Sequence, residues 1–416
     1  MVRADKNISF PWLRVLEALA WVSLVAAFII GQIAAQPDYE AMLQDRLPDI
    51  KLKGSKDNKE LPVVYRIEEK GKESPDVMVM AEGVGYGGPL VVGVRARKTQ
   101  DGARVNEVVL LTHKETPAFL QRLNQESFFY KLAGKNVTDD FIIGNDIDAI
   151  SGASVSAQGF SAAIREAVHL GAVEHLKLKP TWQKQSIKVG INEVILVSLF
   201  VLAFVGAYRR DKVGKYARYV VMIGALLFVG FYANASVSIG NLASIVMGYI
   251  PSLEQHLLWW IMMLGIFGSV IFVGRNIYCH QICPFKVVQD LIQKASGIKL
   301  RIKPEVQRNA RVFIFTLSWA ALMLIFLSVH PALGSYEPFA MMFSLDGVGI
   351  QWYILPVALL GAFFVPSFWC RLFCPVGLYL NQMVRLRRSI IGRFSGGGRG
   401  RPGKKTIPVT VTTKSD

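Results

Sequence analysis

Four cysteines occur in this 416-residue chain, and all fall in two matching phrases, YCHQICPF at 278–285 and WCRLFCPV at 369–376. Each reads aromatic residue, Cys, three residues, Cys, Pro, which makes an internal repeat. A spacing of four places Cys279 and Cys283 on one face of a helix, and Cys370 and Cys374 on another, while the prolines interrupt those helices and free nearby backbone groups. Two such pairs facing each other supply four thiolates, a donor set that suits an iron–sulfur cluster or zinc. Dithiol exchange is the rival redox use. Four buried, unliganded thiols are the plain structural alternative, common for isolated cysteines and poor for a duplicated phrase that accounts for every cysteine.

A second stretch with chemical content is DAISGASVS, residues 148–156, just ahead of a helical pattern at about 157–177. The start of a helix presents unpaired amides and the positive end of its dipole, so a phosphate is favoured there. Gly152 and Ala153 keep side chains out of its way, and the hydroxyl of Ser154, or of Ser156, is able to carry the phosphate as an ester. The plainer role of either serine is to cap the helix. His113 ends a strand pattern, where a pocket wall is a commoner role than a catalytic base, so no catalytic residue is assigned. His256 and His330 sit near the ends of apolar spans, as haem ligands or, more simply, as interfacial packing.

What must position these residues is a membrane. Apolar runs near the ~20 residues that cross a hydrocarbon core occur at about 16–35, 190–208, 217–235, 257–275, 312–329 and 348–369. Helix is the expected form, since lipid offers the backbone no partners. The first run also has signal-peptide features, with Arg3, Lys6 and Arg14 ahead of it and Ile33, Ala34 and Ala35 as a cleavage site, but its length favours a retained anchor. SVSIGNLASIVMGYI at 236–250 is short and reads as interfacial or re-entrant.

The net charge of +16 beside 52% hydrophobic residues is distributed unevenly. Lysine and arginine gather between spans two and three (Arg209 to Arg218), between four and five (Lys286 to Arg308) and after span six (Arg385 to Lys405), whereas 236–256 and 331–347 contain none. That alternation follows the positive-inside bias and sets both termini in the cytoplasm, with segment 36–186 outside. It also demotes nucleic acid as a partner. The tail FSGGGRGRPGKK looks RGG-like, but a juxtamembrane basic cluster is more often an anchor to anionic membrane lipid. Cysteines toward a reducing cytoplasm argue against structural disulfides.

Within the outer segment LPVVYRI, DVMVMA, PLVVGVRA and VNEVVLLTH, between 61 and 115, predict strands of a half-buried sheet. EGVGYGGP at 82–89 predicts a tight turn whose backbone can approach a ligand. Helical patterns at about 117–132 and 157–177 complete one α+β domain.

These motifs carry a family resemblance. DAISGAS resembles the flavinylation motif of the FMN-binding domains in the C and G subunits of sodium-translocating quinone reductase and Rnf complexes and in NosR-type proteins: aspartate, two residues, Ser or Thr, Gly, Ala, then the hydroxyl residue that accepts FMN through a phosphoester. GVGYGGP at 83–89 and HKETPAF at 113–119 are similar to that domain's glycine turn and its His, Glu, Thr, Pro segment, in the same order. The resemblance implies FMN attached covalently to Ser154, with Asp148, Ser151, Gly152 and Ala153 as the rest of the motif and Gly85, Tyr86, Gly87, Glu115 and Thr116 as the pocket. The family usually has threonine where this chain has Ser154; serine offers the same nucleophile without the methyl group that restricts χ1. With two CxxxCP motifs added, the layout is similar to the NosR/NirI family and to PceC-type membrane flavoproteins of organohalide respiration. The longer NosR type continues into a ferredoxin module with CxxC runs that these residues do not contain, so the shorter layout fits better.

The expected architecture is an α-helical polytopic membrane protein of about six transmembrane helices with an inserted α+β extracytoplasmic FMN-binding domain. It divides into an anchor at 1–35, the FMN-binding domain at 36–186, a five-helix membrane domain at 187–384 and a basic cytoplasmic tail at 385–416. The expected function is electron transfer across a bacterial cytoplasmic membrane in anaerobic respiration, between the quinol pool or a cytoplasmic donor and an extracytoplasmic redox protein. FMN and an iron–sulfur centre at Cys279, Cys283, Cys370 and Cys374 would carry it, and an FMN transferase would serve maturation. A membrane redox sensor or regulator of a respiratory enzyme system is the alternative. Flavin and thiolates would be up to ~30 Å of hydrocarbon apart, so something must lie between. One solution is a quinone lined by Trp259, Trp260 and Trp352; another is that the prolines at 284 and 375 let the cysteine pairs sit deeper than their sequence position.

Overall fold

The computed structural model describes residues 11–394 except 35–37, 55–60, 70, 101, 149, 151–153, 180–181, 183–186, 188, 255 and 345–348. Helix α1 (Pro11–Ala34) leads to α2 (Tyr39–Arg46), which Asp38 caps by accepting the Ala41 N–H at 3.1 Å. Strands β1 (Ile50–Gly54), β2 (Val63–Glu69), β3 (Lys72–Val84), β4 (Pro89–Thr99) and β5 (Gly102–His113) then pair antiparallel in sequence order. The four apolar stretches of the sequence lie in β2 to β5, while β1, IKLKG, has lysine at both exposed positions, Lys51 and Lys53, and carries no such run.

The sheet is covered on both faces, not one. Leu43 of α2 packs with Tyr65, Ile67, Met78, Met80 and Leu111 on one side. On the other, Val77, Val79, Val92 and Val94 meet Phe160, Ala163 and Ala167 of α5 (Ser154–Glu174). Double coverage explains why DVMVMA lacks a polar alternation. Between β5 and α5 lie α3 (Pro117–Gln125) and α4 (Phe128–Leu132), separated by Ser127 at φ 53°, so the 117–132 pattern is two short helices.

The membrane part contains α6 (Ile191–Tyr208), α7 (Lys212–Gly224, prolonged by a π-helical Ala225–Tyr232), α8 (Ile239–Val246), α9 (Leu257–Gly268, prolonged by Ser269–Val273) and α10 (Pro284–Ser296). It continues with α11 (Pro304–Ser328), α12 (Phe339–Ser344), α13 (Gln351–Phe364), α14 (Phe368–Leu372) and α15 (Pro375–Phe394). All six apolar runs contain helix. Val15–Ala34, Ile191–Tyr208, Lys212–Tyr232 and Pro304–Ser328 are long and apolar enough to cross a membrane, whereas Leu257–Val273 and Gln351–Phe364 are shorter. At 1.5 Å per residue those two rise only ~26 and ~21 Å, less than a hydrocarbon core of ~30 Å. They are also the helices that lead into the two cysteine phrases.

The 236–250 segment contains no spanning helix: an irregular stretch at 234–238 leads into the two-turn α8, and Ile239, Ala243 and Met247 are buried against Ala27 of α1 and Ala321, Ile325 and Phe326 of α11. Ser238 caps α8 by accepting the Asn241 N–H.

Candidate flavin turn and cysteine centre

The turn between β3 and β4 is built by backbones in contact. Gly85 donates its N–H to Gly88 O at 2.9 Å, and Gly87 donates to the Glu115 carboxylate at 3.1 Å. A Cβ on Gly85 would strike Glu115 Oε2, and one on Gly87 would lie 2.5 Å from Lys114 O, so glycine alone leaves the room. The first turns of α5 reach the same place through a second close approach, since a Cβ on Gly83 would strike Gly159 O and one on Gly159 would meet Val84 O at 2.7 Å.

Glu115 ties these pieces together. Its carboxylate is fully buried and accepts both the Gly87 N–H and the Ser156 hydroxyl. Burial pushes the carboxyl up to about 7, against the pull of the hydrogen bonds from Ser156, Gly87 and Thr116. An unfolded glutamate titrates near ~4.3, so between there and about 7 the folded chain keeps a proton that the unfolded chain has lost. Stability therefore falls as pH rises through that window and levels off above it. In thermal unfolding of the full chain between pH 5 and 8, Glu115→Gln is expected to flatten this decline, worth a few kcal/mol at ~1.4 kcal/mol per unit. A variant profile parallel to the wild type would assign the dependence to another group.

The residues singled out in the sequence are placed unequally. Ser151, Gly152 and Ala153 lie outside the described residues, as does the side chain of Ser154, whose backbone opens α5. Asp148 is exposed. Ser156 is 1% exposed with its hydroxyl committed to Glu115, which leaves a phosphate no access to it. Thr116 precedes α3, and its carbonyl accepts the N–H groups of Phe119 and Leu120. Tyr86 stands edge-on to Phe119 at 4.8 Å, and its hydroxyl donates to Ser236 O and to Asn241 Oδ1 (3.1 Å). Asp146, which the sequence does not mark, orders the stretch before the motif by accepting the N–H groups of Phe141 and Ile142 at 3.0 and 2.6 Å.

The glycine turn faces the membrane helices directly. Val155, next to Ser154, lines a small cavity with Tyr86, Val237, Asn241, Trp259 and Met262. Lys114 donates to Tyr249 OH at 2.9 Å, and burial pushes its ammonium down to about 8. The rings of His113 and His330 lie 6.4 Å apart, and His256 is buried beside the Val84 backbone. These histidines pack the seam between the two domains. Trp259 reaches the cavity, whereas Trp260 is anchored by donating to Pro251 O at 3.0 Å and Trp352 is 54% exposed.

Both cysteine phrases fold alike, and not as continuous helix faces. Cys279 sits in a π-helical turn, Tyr278–Ile282, and Cys370 in α14; Cys283 and Cys374 each precede the proline that opens α10 or α15. Cys283 donates its N–H to Tyr278 O at 2.8 Å, and Cys374 donates to Trp369 O at 2.9 Å. The prolines start helices because the first position has no N–H bond to lose. The second sulfur of each pair thus sits at a helix amino end, where Gly377 N–H reaches Cys374 Sγ at 3.4 Å. Gln289, fully buried, donates to Cys370 Sγ at 3.3 Å and accepts the Trp369 N–H at 2.9 Å. Asn276 accepts the Cys279 N–H at 3.1 Å. A glutamine on the apolar face of PFKVVQDLI is the sequence signal for the first of these supports.

The four thiols lie within one another's electrostatic reach, and none forms a disulfide. Among the described residues, no three His, Cys, Asp or Glu groups are close enough to share a single ion. Zinc needs that closeness, with sulfurs ~2.3 Å from the metal. A four-iron cluster takes one thiolate per iron, and N–H groups aimed at sulfur complement its charge.

The two centres meet inside the protein. Val237 donates its N–H to Tyr278 OH at 2.9 Å, and the preceding carbonyl, of Ser236, accepts the Tyr86 hydroxyl. A tyrosine of the glycine turn and the tyrosine beside Cys279 therefore grip one short segment, Ser236–Val237. The helices that lead into the two cysteine phrases are the shorter ones, Leu257–Val273 and Gln351–Phe364.

Comparison with known proteins gives the class first. Residues 85–169 match the FMN-binding domain, and residues 255–303 and 350–393 match the 4Fe-4S binding domain, so this is a multi-pass membrane protein with sites for FMN and an iron–sulfur cluster. More particularly, it is similar to NirI and NosR. Protein NirI of Paracoccus denitrificans is 26% identical over 240 residues, 52% of this chain and 34% of NirI. Regulatory protein NosR of Stutzerimonas stutzeri is 25% identical over 231 residues, 50% of this chain and 30% of NosR. An uncharacterized protein of Methanocaldococcus jannaschii is 26% identical over 178 residues, 41% of this chain and 63% of that protein. The chain spans about a third of the length of NirI and NosR.

Proposed function

We propose that the chain relays electrons across a bacterial cytoplasmic membrane in respiration, between the quinol pool or a donor at its basic face and a redox protein on the other side. FMN esterified to Ser154 by an FMN transferase would be the outer group, and a 4Fe-4S cluster on Cys279, Cys283, Cys370 and Cys374 the inner one. Bound together they supply exchange between two-electron and one-electron chemistry, while the protein orients them and tunes their potentials. The observation that carries this reading is the contiguity of Tyr86, Ser236–Val237 and Tyr278, which joins the glycine turn to the cysteine phrase.

Supporting features fall on both sides of the seam. The FMN-binding domain docks on segments 234–256 and 330–344, which hold no Lys or Arg, consistent with an extracytoplasmic face opposite the basic loops. Glu115 and Ser156 hold the glycine turn to α5, and the small cavity beside Tyr86 and Met262 is lined mostly by apolar side chains. An apolar cavity of about 550 Å³ between α1, α8, α11 and α15, lined by Phe28, Leu242, Phe326, Tyr379 and Met383 among others, suits a quinone on its way to the centre.

The deciding experiment is in-gel flavin fluorescence after denaturation. Wild type is expected to fluoresce and Ser154→Ala to lose the signal completely; fluorescence retained in the variant would remove Ser154 as the attachment point. A second reading, a membrane redox sensor, is motivated by the relative named Regulatory protein NosR. Sustained quinol-dependent flavin reduction over many cycles separates the relay from a sensor that is reduced once.

A further inference from the structure

At the end of the membrane helices away from the FMN-binding domain, where α6, α7, the Tyr278–Ile282 turn and α15 come together, lies a cavity of about 620 Å³, within the usual range for a small ligand (~300–1,000 Å³). Its wall includes Arg218, Arg275, Arg385, Arg388 and Gln281, and no Asp or Glu. Three of the arginines also close helix ends: Arg218 donates to Gly206 O at 2.8 Å, Arg275 to Ala207 O at 2.9 Å and Arg388 to Gly274 O at 3.4 Å. A helix end carries only about half a negative charge, and among the described residues none of the four guanidinium groups has a carboxylate partner. The cavity is therefore strongly positive. Gln281 Oε1 is buried in the same wall without a hydrogen-bond partner, an acceptor waiting for a donor such as a hydroxyl.

We infer that this cavity binds the phosphodiester headgroup of an anionic phospholipid, its glycerol hydroxyl satisfying Gln281, and that the bound anion tunes the adjacent cysteine centre. The cavity opens between the ends of membrane-spanning helices, where basic pockets take anionic headgroups. Arginine forks match phosphate oxygens in pairs. The coupling is short: Asn276 and Asn381, both in the wall, hydrogen-bond to each other at 3.3 Å, and Asn276 accepts the Cys279 N–H at 3.1 Å. A negative charge held there favours the oxidised, less negative state of a centre beside it, so lipid binding lowers its reduction potential.

This inference rests on the relay reading only for its effect on potential; binding stands apart from it. The full chain would be placed in nanodiscs of phosphatidylcholine with and without phosphatidylglycerol, with retained lipid read by native mass spectrometry and the iron centre by a spectroscopic redox titration. Arg385→Gln is the clean substitution, because Arg385 makes no backbone hydrogen bond among the described residues. It is expected to weaken phosphatidylglycerol retention by about tenfold, as loss of one charge-assisted pair would, and to abolish the lipid-dependent shift. Arg275→Lys, which keeps the charge and loses the fork, should fall between. Equal retention by wild type and Arg385→Gln overturns the site. Displacement of the lipid by millimolar inorganic phosphate would overturn the lipid assignment in favour of a soluble phosphate ester. Lipid bound normally to a chain without iron would preserve the site and sink the relay.

Discussion

Cys283→Ala is expected to abolish iron binding outright, taking the purified chain from about four irons to none while its flavin remains. The chain has four cysteines, a 4Fe-4S cluster needs a ligand for each iron, and the matched domain is split so that each half brings two. No spare thiol exists to substitute. The fold should tolerate the change, because the Cys283 N–H to Tyr278 O bond and the proline that opens α10 are untouched, and only one buried sulfur is lost. Flavin should persist because Gly85, Gly87, Glu115 and Gly159 belong to a separate core around the sheet. Iron analysis and the visible spectrum near the sulfur-to-iron bands read the result. Iron retained at the wild-type level would remove Cys283 from the ligand set, and one zinc per chain would restore the tetrahedral site that the thiol spacing argues against.

How much of this was legible in the sequence depends on how local each signal is. The duplicated CxxxCP stands out because nothing about packing makes a cysteine recur at fixed spacing beside a proline. The spacing does not report the break within it: i and i+4 fit a helix face, and the folded backbone is needed to show Cys283 at a helix start. Hydropathy marks the spans well, yet the apolar run at 348–369 contains both the 14-residue α13 and the turn into α14. Apolar composition does not separate a crossing helix from a shorter apolar helix and its connection, so the early end of α13 was hidden. At the flavin turn the glycines and Glu115 form a readable pattern. The inward aim of Glu115 does not, because its partner Ser156 is 41 residues away, and the grip of Tyr86 on Ser236 joins residues 150 apart. Such contacts are set by how the sheet domain docks on the Ser236–Val237 segment, which no short window encodes.

Gly159→Ala is expected to cost the protein its flavin although the position has no side chain of its own. In an open helix the change is favourable by ~1 kcal/mol, since alanine loses less backbone entropy than glycine; Gly392 in α15, with nothing within 4 Å of an added Cβ, is the matched control. At Gly159 the Cβ would lie 2.7 Å from Val84 O and 2.8 Å from Gly85 N and Cα. Every one of these atoms is backbone, so no rotamer can yield, and overpacking of this kind costs ~1–3 kcal/mol. Relief comes only by lifting the start of α5 from the glycine turn, which separates Ser154 from Gly85 and Gly87 and spoils the place where a flavin phosphate would be held. A cost of ~1.4 kcal/mol or more for that geometry corresponds to at least a tenfold fall in the fraction of chains that present it, and so in flavin loading. The flavin-to-iron ratio of the purified variant measures it without needing activity, because the cysteine centre is built from other elements. Full flavin in Gly159→Ala, with Gly392→Ala unchanged, would mean that the flavin does not occupy the seam between α5 and the glycine turn.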